Sequence, residues 1–469
     1  MAIPTKKIPL LIPVENQVRE LDAKFLLACV AARRGFITVV GPRRPMEFRV
    51  NSFPKSVYIS KSLKSGNGRY FKILRKLGHE IVGWDEEALV HLPPEIYISY
   101  RLSPGVLKYV SHLFAWGQDN AELLRQFPEI IDETPIHVTG NPRGDLLRPE
   151  LNGYYEIEVQ KIRKTYGNFI LVNTNFNVVN AFYAIQNLVQ PVKHPEEEPK
   201  LGRTAQTMSR EDAKVFHDHK KAIFEEFKRL IPKIEKSFPD YAIVIRPHPG
   251  ENQKVYHRIA EQGHRIKVTN EGNVVPWIMA AKVMIHNGCT TGVEAYKLGV
   301  PAISYRPTVN EYWDDLYHRL PNLLSHQCFS IEDLMAALAK AVNGGLGVPV
   351  DNKCKQLIGH HLAAQEGSLA CERIVDVLEE MAEGLAERPK SDLSKRMAGL
   401  YLLFRRRLLK RMRSLNPKSH KKPALARHNY PGISIEEVRE RILRLQNVLG
   451  YENELRVDQV YEQIYRISL

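Results

Sequence analysis

Apolar positions recur in two registers along the chain, and the alternation between them predicts the architecture. Short runs rich in Leu, Ile and Val at residues 10–14, 36–40, 57–60, 80–84, 112–116 and 136–139 read as buried strands. Between them, residues 17–34 place Leu21, Phe25, Ala28, Cys29 and Ala32 on one helical face, and Gly35 closes that helix. Residues 69–77 and a segment from 119 read as further helices. Strand, helix and strand in succession predict a parallel sheet covered on both faces. The turn-rich stretch Gly140-Asn141-Pro142-Arg143-Gly144-Asp145 predicts that a first domain ends near residue 150.

A second alternation begins after residue 166. Strands are expected at 168–172, at 242–245, up to Ile285 and from Pro301, with helices at 209–237, 276–281, 292–298 and 330–342. The last of these is capped by Ser330 with Asp333 three residues on. Residues 191–210 are polar and carry prolines, as a surface insertion would. Two α/β sheets with no internal repeat predict two facing Rossmann-like domains, 1–150 and 151–390, and a ligand cleft at their junction. Residues 391–469 are expected to form a helical basic tail. It ends in a helix over 435–449, capped by Ser434 with Glu437 three residues later.

Charge changes this picture in one place. The net charge is +14, yet residues 395–427 hold twelve Lys or Arg and no acid, so the rest of the chain is near neutral. Within that stretch Leu400, Leu403, Phe404, Leu408, Met412 and Leu415 fall three or four residues apart, with Arg405, Arg406, Arg407, Lys410, Arg411 and Arg413 around them. Two readings fit: a helix lying on the acidic inner leaflet of a membrane, or one packed on the first domain with a solvated basic face. No nucleic-acid reader motif accompanies the charge, so no nucleic-acid partner is expected. No run of eighteen apolar residues predicts a membrane span. Lys6 and Lys7 precede an apolar stretch broken by Pro9 and Pro13, which argues against a secretory signal. Five cysteines without a C-x-x-C pair suggest a reducing compartment and no zinc.

Three stretches carry candidate chemistry. In Ile285-His286-Asn287-Gly288-Cys289-Thr290-Thr291-Gly292-Val293-Glu294, a strand gives way to a loop and then a helix. Backbone N–H groups at a helix start attract an anion; Gly288 and Gly292 would let the backbone approach it, and Thr290 and Thr291 add hydroxyls. Glu294 could accept from the hydroxyls of a ribose. This predicts a nucleotide phosphate pocket, the alternative being an ordinary capped turn. Arg246-Pro247-His248-Pro249 follows a strand, and its prolines hold an imidazole outward, where it could stabilise charge on a departing nucleotide. Arg246 could assist or form a buried ion pair. Asn173 and Asn175 lie in a polar loop at another strand's carboxyl end, where open α/β sheets bind ligands. In the first domain, Asp85-Glu86-Glu87 follows a strand directly, and one of these carboxylates could take a proton from an attacking hydroxyl. Three solvated loop acids fit that spacing equally.

Arg246-Pro247-His248-Pro249, Gly288-Cys289-Thr290-Thr291-Gly292, Glu294-Ala295 and Leu298-Gly299-Val300-Pro301 resemble the donor domain of GT-B glycosyltransferases. Leu11-Ile12-Pro13-Val14-Glu15, Arg19-Glu20-Leu21, Asp85-Glu86-Glu87, Val138-Thr139-Gly140-Asn141-Pro142-Arg143 and Pro431-Gly432-Ile433-Ser434 resemble the bacterial surface carbohydrate biosynthesis protein family. The chain is also similar to bacterial sialyltransferases and capsule Kdo transferases, which share an acidic pair before glycine, a His-Pro and a paired hydroxyl motif. Ala88 stands where the first motif has glycine, and threonines replace the usual serines.

The resemblance implies an inverting, metal-independent glycosyltransferase of surface polysaccharide or glycolipid biosynthesis, such as capsule or lipopolysaccharide. Glu87 would be the base, with Glu86 and Asp85 as neighbouring acids. His248, Pro249, Thr290 and Thr291 would hold the donor phosphate and Glu294 the ribose. It implies no cofactor, a nucleotide-sugar donor (CMP-activated rather than UDP-activated), and a lipid-linked or polysaccharide acceptor. The enzyme would be cytoplasmic and peripheral on the inner membrane. No Asp-x-Asp occurs, in keeping with metal independence. A UDP-sugar 2-epimerase, which shares the two-domain fold, and a non-catalytic membrane-associated assembly factor stay open as alternatives.

Overall fold

Leu10, Leu11, Ile12 and Val14 are wholly buried because the first strand, β1 (Leu10–Val14), runs through the middle of a sheet covered on both faces. The computed structural model describes residues 8–90, 93–128, 134–191, 198–206, 208–386, 392–415, 427 and 429–469. The chain forms two units, one of residues 1–154 and 356–469, the other of residues 155–355. In the first unit β1 is followed by β2 (Thr38–Pro42), β3 (Val57–Ser60), β4 (Glu80–Gly83), β5 (His112–Ala115) and β6 (Ile136–Val138). They pair in parallel in the order β2-β1-β3-β4-β5-β6. The chain lays β2 on one side of β1 and β3 to β6 on the other, so the order reverses between β1 and β3.

The second unit is a six-stranded parallel sheet built from β7 (Phe169–Thr174), β8 (Ala242–Pro247), β9 (Ile266–Val268), β10 (Val283–His286), β11 (Ala302–Tyr305) and β12 (His326–Cys328). Its order, β12-β11-β10-β7-β8-β9, is the Rossmann order, and it reverses between β7 and β10. Alternation along the strands fills two cores. Ile170, Val172, Ile243, Ile245 and Ile285 pack with Phe224 and Phe227 of the helix Arg210–Ser237. Phe169, Leu171, Val244 and Met284 pack on the other face with Trp277.

Residues 356–469 return to the first unit, ahead of the boundary at 390 drawn from sequence. Asp145 and Arg148 hold the start of this return: the two Asp145 carboxylate oxygens accept from Ala370 N at 2.7 Å and Cys371 N at 2.9 Å, at the start of the helix Ala370–Ala386, and Arg148 donates to Ala364 O at 3.0 Å. The expected tail is also more than a tail. The helix Ile435–Val448 follows, and β13 (Arg456–Tyr461) and β14 (Ile464–Ser468) form a hairpin whose β14 pairs antiparallel with β2. The basic helix Leu393–Leu415 packs on the helix Gly68–Leu77, where a Cβ at Gly399 would lie 3.1 Å from side-chain atoms of Lys76 and Leu77. Residues 416–426 of the basic stretch, 192–197 of the expected insertion, and Lys6 and Lys7 lie outside the described residues. No helix among the described residues is long and apolar enough to cross a membrane.

Candidate functional site

Parallel strands deliver their carboxyl ends to one edge of a sheet, so in the second unit the loops after β7, β8 and β10 come together at the reversal point. Asn287 ties two of them: its Oδ1 accepts from Asn175 N at 2.8 Å, and its Nδ2 donates to Asn175 O at 3.2 Å. His248 joins the third, donating its backbone N–H to Thr174 O at 3.1 Å. Glu251 clasps the His248 loop from below. It is fully buried, and its Oε1 accepts from Thr174 Oγ1 at 2.9 Å and from His248 N at 3.0 Å, while its Oε2 accepts from Tyr256 Oη. Burial pushes its carboxyl above the usual range against the pull of these donors. The His248 ring is half-buried, and its Nδ1 accepts from Gly250 N at 3.0 Å. In the neutral ring that leaves the proton on Nε2, as a donor.

His286, at the end of β10, shapes the loop from inside. Its Nδ1 accepts from Gly288 N at 3.0 Å and Cys289 N at 3.3 Å, and its Nε2 then donates to Ser325 Oγ at 2.9 Å. Burial, with Arg306 adding repulsion, lowers this imidazole to about 3, so it is neutral at physiological pH. The glycines serve this packing. Gly288 has φ +83°, and a Cβ there would lie 2.5 Å from His318 Cγ; a Cβ at Gly292 would lie 2.7 Å from His286 Nε2. Close approach to an anion is therefore not what these two positions demand.

Nor are all the loop amides available, since Gly288 and Cys289 are bound to His286 and Gly292 N donates to Cys289 O at 2.9 Å. Among the described residues, the Thr290 and Thr291 amides have no hydrogen-bond partner, and Thr291 Oγ1 is a buried hydroxyl without one. They lie at the start of the helix Thr291–Lys297, on whose first turn Glu294 is buried.

Two residues expected at this site sit elsewhere. Arg246 turns its guanidinium to Glu271 O at 2.9 Å and Gly272 O at 3.1 Å, stacked 4.8 Å from the Trp277 ring centroid. Burial lowers it to about 9, and among the described residues its guanidinium is bound by backbone carbonyls and makes no ion pair. Asn173 is buried within β7 with Nδ2 3.1 Å from Met284 Sδ, so its side chain is part of the core. Sequence reasoning passed over Glu251, His286, Asn287 and His318. The signal for the first was its place three residues after His248, and for the second its place two residues before a glycine.

The first unit answers with charge. At its own reversal point Glu15, just past β1, pairs with Lys61, just past β3, at 3.1 Å; Lys61 also pairs with buried Glu20. Past β4, Glu86 is 3% exposed. It accepts from Trp84 Nε1 at 2.8 Å and Lys24 Nζ at 3.3 Å, with Arg143 at 4.0 Å. Burial would raise its carboxyl, but the three cations Lys24, Arg143 and Lys61 outweigh burial and hold it at about 2. Glu86 therefore has no accessible face for proton transfer. Asp85 is also buried; its Oδ1 accepts from Glu87 N at 3.1 Å, so it orients Glu87.

Glu87 is the accessible acid of the three, its side chain 32% exposed and bound to Arg19 at 2.8 Å. Burial opposes ionisation, yet the Arg19 guanidinium prevails and keeps this carboxyl well below the usual range. Among the described residues no group of three or more His, Cys, Asp or Glu is arranged to hold a metal ion.

The sequence matches no protein-family model and no curated protein. Solved structures do match. Two structures of a variant of the wall teichoic acid polymerase TagF, soaked with CDPG, share 12% identity with TM-scores of 0.51 and 0.50; each match covers 82% of this chain and 91% of that one. A UDP-GlcNAc 2-epimerase from Methanocaldococcus jannaschii shares 13% identity over 80% of this chain and 100% of that one, with a TM-score of 0.45. The likeness to TagF is one of fold: a mixed α/β chain with two Rossmann-like sheets, of the GT-B class.

Proposed function

We propose that the protein is an inverting, metal-independent glycosyltransferase of surface polysaccharide or glycolipid assembly that uses a nucleotide-activated sugar. One observation carries the reading: at the reversal point of the second sheet, the Thr290 and Thr291 amides and the buried Thr291 hydroxyl have no hydrogen-bond partner among the described residues. Buried polar groups are normally paired, and donors left over at a helix start suit a phosphate. His248 belongs to the adjacent loop and offers an Nε2–H, a donor suited to charge growing on a departing nucleotide. Glu294, on the first turn of the same helix, is assigned to the ribose. A CMP-activated sugar is the preferred donor, on the resemblance of the motifs to sialyltransferases and Kdo transferases, with a lipid-linked or polysaccharide acceptor.

Glu87 is assigned as the base that takes the acceptor proton. Its pairing with Arg19 keeps it ionised but makes it a weak base, so an acceptor hydroxyl must displace that guanidinium before transfer.

The test begins with calorimetric titration of CMP, CDP, UDP and GDP, followed by turnover assays with the preferred nucleotide sugar. Glu87→Gln is expected to lower transfer by on the order of 10²–10⁴-fold while nucleotide affinity is kept. His248→Ala is expected to weaken nucleotide binding by roughly tenfold, the loss of one charge-assisted hydrogen bond. Full turnover in the first variant removes Glu87 from the mechanism. Conversion of UDP-N-acetylhexosamine without an acceptor replaces transfer with epimerisation, and binding without any turnover leaves an assembly factor.

A further inference from the structure

The helix Leu393–Leu415 is seated on the first unit by its charged residues and turns apolar ones to solvent, the reverse of an ordinary packed amphipathic helix. Arg406 donates to Glu47 Oε2 at 2.6 Å and lies 4.5 Å from the Tyr70 ring centroid; Lys410 reaches the same oxygen at 3.1 Å. Arg407 donates to Asn51 Oδ1 at 2.5 Å, and Leu403 is buried beside them. On the opposite side Leu393, Met397, Tyr401, Phe404, Leu408 and Met412 are 73, 58, 60, 64, 49 and 60% exposed. Their spacing of four, four, three, four and four keeps them on one face over a length of about 28 Å. A contiguous apolar stripe of that extent marks an interaction surface.

We infer that this face docks on an anionic lipid bilayer. The stripe alone fits a lipid or a protein; charge decides. The helix holds eight Lys or Arg and no acid, and Lys395, Arg396, Arg405 and Arg411 are exposed. A second copy seated face to face would set Arg405 and Arg411, which border the stripe, against cations of the same patch, because a two-fold interface pairs a patch with itself. Anionic headgroups neutralise them while the aromatic and aliphatic side chains enter the acyl boundary. The eight charges also forbid insertion across the bilayer, so the helix lies in the plane of the surface. This inference goes beyond the sugar-transfer reading and does not depend on it.

Flotation of the full chain with vesicles of phosphatidylcholine, alone or mixed with phosphatidylglycerol, provides the test. The protein is expected to float with the mixed vesicles, less well as salt rises, and poorly with phosphatidylcholine alone. The combined variant Tyr401→Ser, Phe404→Ser and Leu408→Ser touches only exposed side chains. It should keep its melting temperature and lose vesicle affinity by roughly tenfold or more. Arg405→Ala with Arg411→Ala should weaken binding to mixed vesicles by about fivefold per residue and leave binding to phosphatidylcholine unchanged. Equal flotation of the serine variant and the parent protein overturns the inference. So does a failure to float accompanied by a dimer, seen in sedimentation, that the serine variant abolishes.

Discussion

Both sheets reverse their strand order, and at each reversal point the chain concentrates polar residues, but the two concentrations differ in kind. In the first unit Glu15, Glu20, Lys24, Lys61, Glu86, Arg19 and Glu87 are full charges that satisfy one another. In the second, the polar groups are the imidazole of His286, kept neutral by burial, the half-buried ring of His248, the amide of Asn287, and main-chain N–H groups. Opposed charges already paired at 3 Å have little left for a ligand. Neutral dipoles fixed by a rigid loop need no such release and can act on an anion at once. The phosphate site proposed above falls in the second unit, and the first holds a network of paired charges in which Glu86 is 3% and Glu87 32% exposed.

The largest effects should come from breaking each cluster at its most buried point. Lys24→Met strands Glu86 in a site 3% exposed and is expected to cost about 3–5 kcal/mol in urea unfolding. Adding Glu86→Leu to it should restore at least half of that, since the charge that lost its partner is gone. In the second unit Gly288→Val combines a positive φ with the 2.5 Å approach to His318 and is expected to cost about 4 kcal/mol and to abolish nucleotide binding. If the double variant of the first unit stays as unstable as Lys24→Met, its network is not held by charge pairing and the comparison fails.

The next effect is a pH dependence of opposite origin in the two clusters. His286 is lowered to about 3 from an unfolded value of 6.5, so its contribution is complete above pH 6.5 and is lost as pH falls towards 3. Glu86 is lowered to about 2 from 4.5, and its contribution is lost only as pH falls from 4.5 towards 2. Between pH 6.5 and 4.5, acid therefore weakens the imidazole cluster while these carboxylates hold. His79 in the first unit, lowered by burial to about 4, adds to the same window, so the measurement needs a variant. His286→Asn keeps an acceptor near the loop amides and removes the titration. Its stability should fall less steeply below pH 6.5, by up to about 1.4 kcal/mol per pH unit. An unchanged slope would mean that the imidazole is not held neutral by the fold.

How much of this was legible in the residues follows from how local each determinant is. The runs that became β1, β3, β7 and β10 were readable, because a strand buried on both faces is written as a short, mostly apolar run. So was the placing of His248 between two prolines after β8. The strands β9 and β12 are three residues each and carry Lys267, His326 and Gln327, so no apolar run marks them. The β13–β14 hairpin turns through Glu462 and Gln463 with φ +60° at Gln463, where a turn signal would require Gly or Asn. The return of residues 356–469 is held by long-range pairings, such as Asp145 with Ala370 and Cys371 across more than two hundred residues and β14 with β2. The inverted seat of the basic helix depends on Glu47, which lies in an unremarkable stretch of sequence. The role of Glu251 likewise appears only once Thr174 and Tyr256 surround it.

The smallest effect tests whether the clusters are insulated from their surroundings. Each unit has a helix capped by a serine away from its reversal point: Ser434 Oγ accepts from Glu437 N at 3.1 Å in the first, and Ser330 Oγ accepts from Asp333 N at 3.0 Å in the second. Removing either hydroxyl leaves one helical N–H to water and is expected to cost about 1 kcal/mol. The helix Ile331–Val342 packs Leu334 and Leu338 into the same core as Ile285, the residue just before His286. If the loop after β10 is held by its own hydrogen bonds, Ser330→Ala should leave nucleotide affinity within twofold while lowering the urea midpoint as far as Ser434→Ala does. A larger loss of affinity in Ser330→Ala alone would place the rigidity of the loop in the packed core beneath it, and His286 would then transmit that rigidity instead of creating it.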